Sequence, residues 1–195
     1  MHGLINTSIQ SFVTQTYGAA LWGDACRQAG LDLDGFEAML VYPPDLTLAL
    51  LDALCALLNR DRDEVLEDLG TFLVTHPAIP GIRRLLRFCG TTFEDFLMSL
   101  DDLPDRVRLA VSDLCLPGLE LVWVAPGECE LICQPGLPGY HNVLTGVLRA
   151  MADDYGALVI LETGRQAEGA QVISIRLIAS RFTAGNLFTL SRAAS

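Results

Sequence analysis

Apolar residues at helical spacing dominate the first half of the chain. Ile5, Ile9, Phe12 and Val13 recur every three or four residues and predict an amphipathic helix at the start. Leu46, Leu50, Leu54, Leu57 and Leu58 form a second stripe, with Asp45 ahead of it as the predicted N-cap. Asp63 predicts the cap of a third helix through Leu73, closed by Pro77, which cannot continue a helix. A short helix from Ile82 to Cys89 should end at Gly90. Thr91 and Glu94 have the spacing of a capping box for a helix running toward Pro104. After Pro117 the period changes. Leu119–Val124 and Glu130–Cys133 read as short strands about Pro126-Gly127, and Val143–Tyr155 reads as a helix. Leu158–Glu162 and Val172–Ile178 then predict a hairpin joined through Gly164 and Gly169.

Helices followed by antiparallel strands make an α+β fold. A length of 195 residues, 51% of them hydrophobic, suits one domain with a sizeable core. The pattern contains no internal repeat, low-complexity tract or flexible linker. A net charge of −11 argues against nucleic acid or an anionic membrane surface as partner, since both select basic patches. The first 23 residues carry no formal charge but include His2, Asn6, Gln10 and Gln15 and no basic stretch. A signal peptide or membrane span is therefore not expected there, and the expected location is cytoplasmic.

Candidate chemistry changes this picture little. The six cysteines (Cys26, Cys55, Cys89, Cys115, Cys129, Cys133) contain no C-x-x-C pair. Most sit in apolar runs, where a free thiol behaves as a small hydrophobe. The acidic pairs Asp101–Asp102 and Asp153–Asp154 fall at predicted helix ends, where solvated charge is the default. Ser112 and Ser174 have no histidine in a triad context. Gly136-Leu137-Pro138-Gly139 lacks the lysine and the strand-to-helix setting of a phosphate loop. No catalytic residues and no metal site are expected, and the chain is not expected to be an enzyme.

One stretch is far more specific. Phe93-Glu94-Asp95-Phe96-Leu97-Met98-Ser99-Leu100-Asp101-Asp102-Leu103-Pro104 resembles the helix that carries the axial haem ligand in the haem–nitric oxide binding (H-NOX, HNOB) family, where F-x-x-F-L-x-x-L-D-x-L-H is typical. Met1-His2-Gly3-Leu4-Ile5-Asn6 with Phe12-Val13 and Tyr17-Gly18 is similar to that family's first helix. Tyr42-Pro43-Pro44-Asp45-Leu46-Thr47 and Arg84-Leu85-Leu86-Arg87-Phe88-Cys89-Gly90 match later segments, and Pro117 has the spacing of the proline that presses on the haem. The resemblance implies an α+β, H-NOX-like fold: an N-terminal helical subdomain, then helices packed on a four-stranded antiparallel sheet. Its expected limits are one domain over 1–182, divided into a distal part (1–65) and a proximal part (66–182), with 183–195 as a tail.

The residues that hold the cofactor depart from the family. Pro104 stands where the family has its iron-ligating histidine, and proline offers neither lone pair nor N–H. The family's Y-x-S-x-R, which clamps the haem propionates, falls on Cys133, Pro135 and Leu137, or on Gln134, Gly136 and Pro138 with a shift of one, and neither register supplies a tyrosine or an arginine. An arginine fork is suited to pairing with a carboxylate, and leucine is not. Haem is thus the family's cofactor, but its anchors are missing and no cofactor is expected. The ligand-pocket positions implied by the resemblance are Ile5, Ile9, Phe96, Met98, Pro104, Pro117, Cys133, Pro135 and Leu137. Among the three histidines His76 is the least unfavourable substitute for the lost ligand. The resemblance implies a sensor or regulatory domain in signal transduction. Its partner would be a separately encoded cyclase, histidine kinase or cyclic-dinucleotide enzyme. The alternatives are a nitric oxide or oxygen sensor with another axial ligand, and a pocket reused for an apolar molecule such as a fatty acid. Arg83, Arg84, Arg106 and Arg108 are the cations expected to meet a carboxylate at its rim.

Overall fold

A computed structural model describes residues 1–32, 35–77, 79–165, 169–183 and 185. The helices come first: α1 (Gly3–Thr16), α2 (Ala19–Gln28), α3 (Pro44–Leu58), α4 (Arg62–Thr75), α5 (Pro80–Arg87), α6 (Phe93–Met98) and α7 (Leu103–Ala110). Then follow β1 (Leu119–Ala125), β2 (Glu128–Cys133), α8 (Tyr140–Tyr155), β3 (Leu158–Arg165) and β4 (Gln171–Ala179). The strands form one antiparallel sheet in the order β1-β2-β4-β3. The α+β expectation holds. The β3–β4 connection at 166–168, and all of the expected tail except Thr183 and Gly185, lie outside the described residues.

Local corrections cluster at helix starts. Asp45 is not the N-cap of α3; Pro43 is, with Pro44 in the first turn, where a missing N–H costs nothing. Asp61, not Asp63, caps α4, and the Asp63 carboxylate instead accepts a 2.6 Å hydrogen bond from Asn142 Nδ2 on α8. The capping box of α6 is Thr92 with Asp95, one residue beyond the expected pair: Thr92 Oγ1 accepts from Asp95 N, and Asp95 Oδ2 accepts from Thr92 N, both at 3.1 Å. The helix expected to run on toward Pro104 is two helices, because the chain turns between Met98 and Leu103 and Pro104 opens α7. The chain pattern did not announce α2, a short helix containing Gly23 that buries Trp22, Ala25 and Cys26.

Two apolar cores result. The first gathers Ile9, Phe12 and Val13 of α1, Trp22 of α2, Leu50 and Leu54 of α3, and Val65, Leu69 and Phe72 of α4. The second packs Phe93, Phe96 and Leu97 of α6 and Leu144, Leu148 and Met151 of α8 on the inner sheet face, where Cys129, Leu131 and Cys133 alternate beside Ile173 and Ile175. Helix α4 belongs to both, since Val74 near its end packs in the second core. Residue 65, the expected division, therefore lies inside a helix that ties the two halves together. α4 meets α8 backbone to backbone at Gly70 and Gly146. A methyl on Gly146 would lie 2.8 Å from Thr71 N and 2.9 Å from Glu67 C, so no side chain larger than hydrogen fits.

Candidate functional site

The pocket positions divide into groups. Cys133 ends β2, and the loop after it carries Pro135 and Leu137 before Gly139, in a left-handed conformation (φ 76°), opens α8. These three residues line one cavity of about 360 Å³, together with Tyr140, His141, Arg165 and Gln171. Pro117 lies beside the same loop, its ring 3.5 Å from where a Cβ on Gly136 would stand. Cys133, Pro135, Leu137 and Pro117 are thus neighbours. Ile5 and Ile9 are not among them: Ile9 is buried in the N-terminal core and Ile5 packs on its edge. Phe96 is 0% exposed, enclosed by Phe93 and Tyr155 at ring separations of 5.7 and 6.0 Å. Met98 is 56% exposed.

Pro104 sits partly buried in the first turn of α7, next to Leu103 of the second core. Proline itself offers no donor there. Cys133 does not supply one: it is 2% exposed, and burial pushes its thiol up to about 12, so it stays protonated and a poor metal ligand. His2 caps α1, its Nδ1 accepting from Leu4 N at 3.1 Å. His76 ends α4 with its ring stacked on Phe72 at 4.5 Å. Among the described residues no cluster of three or more histidine, cysteine, aspartate or glutamate side chains could hold a metal ion.

The cavity has polar groups that the chain pattern did not single out. The Tyr140 hydroxyl is buried with no hydrogen-bond partner among the described residues, and burial raises the phenol above its ordinary range, with the nearby Cys133 adding to the effect. His141 is held below its usual value by burial; the Arg165 guanidinium pushes the same way and Asp63 opposes. Tyr140 escaped notice because α8 starts three residues before its apolar pattern does. Three of the four cations expected at the rim, Arg83, Arg106 and Arg108, have partners, although Nε and Nη1 of Arg106 are buried without one among the described residues, and Arg84 is exposed. Arg83 grips the buried Asp154 with Nε at 3.1 Å and Nη2 at 2.5 Å. Arg108 pairs with Asp105 at 2.8 Å, and Arg106 donates to the Ser99 carbonyl at 2.7 Å. Among the described residues no helix is long and apolar enough to cross a membrane.

The family model described as Haem-NO-binding matches residues 2–162. Soluble guanylate cyclase 89Db of Drosophila melanogaster is 23% identical over 158 residues, covering 81% of this chain and 24% of that protein. Soluble guanylate cyclase gcy-35 of Caenorhabditis elegans is 31% identical over 156 residues, covering 78% and 22%. The chain spans about a quarter of the length of the curated relatives it matches. Among solved structures, the unliganded Fe(II) H-NOX protein from K. algicida superposes with a TM-score of 0.74 at 18% identity, covering 97% of this chain and all of that one. An H-NOX protein from S. oneidensis in the Fe(II)NO state gives 0.75 at 15% identity, covering 91% and 99%. At such identities the structures establish the fold, and the match over residues 2–162 establishes the family. This chain belongs to the haem-NO-binding (H-NOX) family.

Proposed function

We propose that this domain is a signalling regulator of the H-NOX family that does not hold haem through the family's axial histidine and propionate clamp. Pro104 carries the reading: by sequence resemblance it falls where the family has its axial histidine, and it lies in the first turn of α7 with no lone pair for iron. Cys133 and Leu137 support it, since by resemblance they fall at positions of the propionate clamp, and a buried thiol and a leucine offer no cation to a carboxylate. The residues present do not fit haem in the family's manner. The domain would act in the cytoplasm on a signalling enzyme, and the guanylate cyclases among its relatives make a nucleotide cyclase the leading candidate. It would contribute regulation and no catalysis of its own.

An absorption spectrum of protein purified from haem-supplied cells tests this. The expected result is no stoichiometric Soret band. A full-occupancy band that shifts when nitric oxide is added would overturn the proposal.

A second reading has one observation in its favour. The cavity of about 360 Å³ is large enough for a small organic guest, and the orphaned Tyr140 hydroxyl beside it is a costly group to leave unpaired. On this reading the pocket takes an apolar molecule with one polar end, such as a fatty acid. Native mass spectrometry of the purified protein would reveal the added mass, and a bare polypeptide mass would count against it.

A further inference from the structure

Among the described residues, the sheet buries one face and leaves much of the other exposed, at Glu120, Val124, Ile160, Glu162, Arg176 and Ile178. Cross-strand register places side chains of the exposed face in rows. Val122 pairs with Glu130, Glu130 with Ser174, and Ser174 with Glu162, so one row crosses all four strands. In the adjacent row Glu128 pairs with Arg176, and Arg176 with Ile160. Residues at paired positions project from the same face. The short Ser174 side chain between two glutamates leaves a groove of about 190 Å³, lined by Val124, Glu130, Ile160, Glu162, Ser174 and Arg176 among others.

The charges in this groove are unbalanced. Arg176 is already committed to Glu128, Nε to Oε1 at 3.0 Å. Glu130 and Glu162 make no ion pair or side-chain hydrogen bond among the described residues. Around them Val124, Ile160 and Ile178 are 56%, 44% and 51% exposed. Apolar surface is thus held open beside two uncompensated carboxylates, in a chain whose net charge is −11.

We propose that this outer sheet face docks a basic amphipathic helix of a partner protein, laid across the strands. Its basic side chains, seven residues apart, would meet Glu130 and Glu162, with apolar side chains between them on Ile160 and Val124. The spacing follows from geometry. Two interstrand steps separate the glutamates by about 9.6 Å, and seven helical residues rise about 10.5 Å. The groove runs over the face rather than along an edge, which suits a helix better than an added strand. A second copy of this chain is disfavoured because a two-fold contact would set the same carboxylates against each other. An anionic lipid surface is repelled for the same reason.

The test uses the full chain and a stapled, fluorescein-labelled helical peptide with two arginines seven residues apart and leucines on the same face. Binding is read by fluorescence anisotropy, with folding of each variant checked by circular dichroism. Saturable one-to-one binding is expected, weakened about tenfold by Glu130→Gln with Glu162→Gln. The pair Glu37→Gln with Asp153→Asn removes equal charge from other exposed sites and should leave binding unchanged. Ile160→Asp separates docking from general attraction: it adds negative charge, yet it should weaken binding by removing an apolar contact. The proposal fails if the peptide does not bind, if both charge-removing pairs behave alike, or if Ile160→Asp tightens binding. It fails equally if the wild-type chain sediments as a dimer that excludes the peptide.

Discussion

Replacing Gly146 with alanine should destabilise the domain although alanine is the better helix former. In an open helix the exchange gains about 1 kcal/mol, because glycine loses more backbone entropy on folding. Gly23 on α2 is such a site: nothing lies within 4 Å of a Cβ placed there, and Gly23→Ala should stabilise by about 0.5–1 kcal/mol. At Gly146 the added methyl runs into the Glu67 carbonyl and stands 2.8 Å from Thr71 N. Both neighbours are backbone of α4, so no rotamer change relieves the contact and the helices must separate. Separation stretches the hydrogen bond from Thr71 Oγ1 to the Gly146 carbonyl, now 3.3 Å, and loosens Leu66, Leu69, Val143 and Val147. A gap of 0.5–1 Å forfeits roughly a quarter to a half of each dispersion contact. Overpacking of this kind costs about 1–3 kcal/mol, occasionally more, and with backbone on both sides the upper end applies. Set against the helix-propensity gain, the net loss should be about 2 kcal/mol, lowering Tm by roughly 4–8 °C in a domain of this size. Urea unfolding followed by circular dichroism, with the m-value compared between variants, reads it directly. If Gly146→Ala is as stable as wild type, or moves in the same direction as Gly23→Ala, the close crossing of α4 and α8 is wrong.

Pro104→His alone should not restore stoichiometric haem, because Leu137 and Cys133 leave two propionates unpaired; adding tyrosine, serine and arginine at Cys133, Pro135 and Leu137 should raise occupancy further, and full loading of the single variant would refute the anchor argument. The Asp95 carboxyl is held below its ordinary value chiefly by the Thr92 hydroxyl, then by the Thr92 and Thr91 backbone amides. Because its folded value is the lower one, its contribution to stability is present above the ordinary carboxylate range and is lost as pH falls through the depressed folded value; Thr92→Ala should raise the value seen by carbon-13 NMR titration, and an unchanged titration would remove the capping box as its cause. Cys115 is exposed while Cys129 and Cys133 are buried, their thiols pushed up to about 11 and about 12. A thiol reagent at neutral pH should therefore label Cys115 at once and Cys129 and Cys133 only on unfolding, and rapid labelling of Cys133 in the native chain would contradict its place at the end of β2.

The chain pattern alone determined the order and type of most elements, because burial of one face imposes a period that any reader of the sequence can see. The stripe of α1, the β1–β2 turn at Pro126-Gly127 and the β3–β4 pairing were all legible this way. The place of Pro104 came from resemblance to the family's ligand helix and not from the period. Helix starts were less legible. Asp45, Asp63 and Thr91 each had a capping residue type, but the cap is decided by where the chain bends, and Pro43, Asp61 and Thr92 took those places. Only the tertiary structure decided which apolar residues share a core. Ile9 and Phe96 look alike in the sequence and lie in different clusters, because packing depends on which helix faces meet and not on spacing along the chain. The same holds for Gly146, for the Tyr140 hydroxyl and for the row from Glu130 to Glu162. Gly146 and the glutamate row draw their meaning from neighbours dozens of residues away, brought close by the crossing of α4 and α8 or the register of the sheet, and the burial of the Tyr140 hydroxyl is likewise a property of the fold.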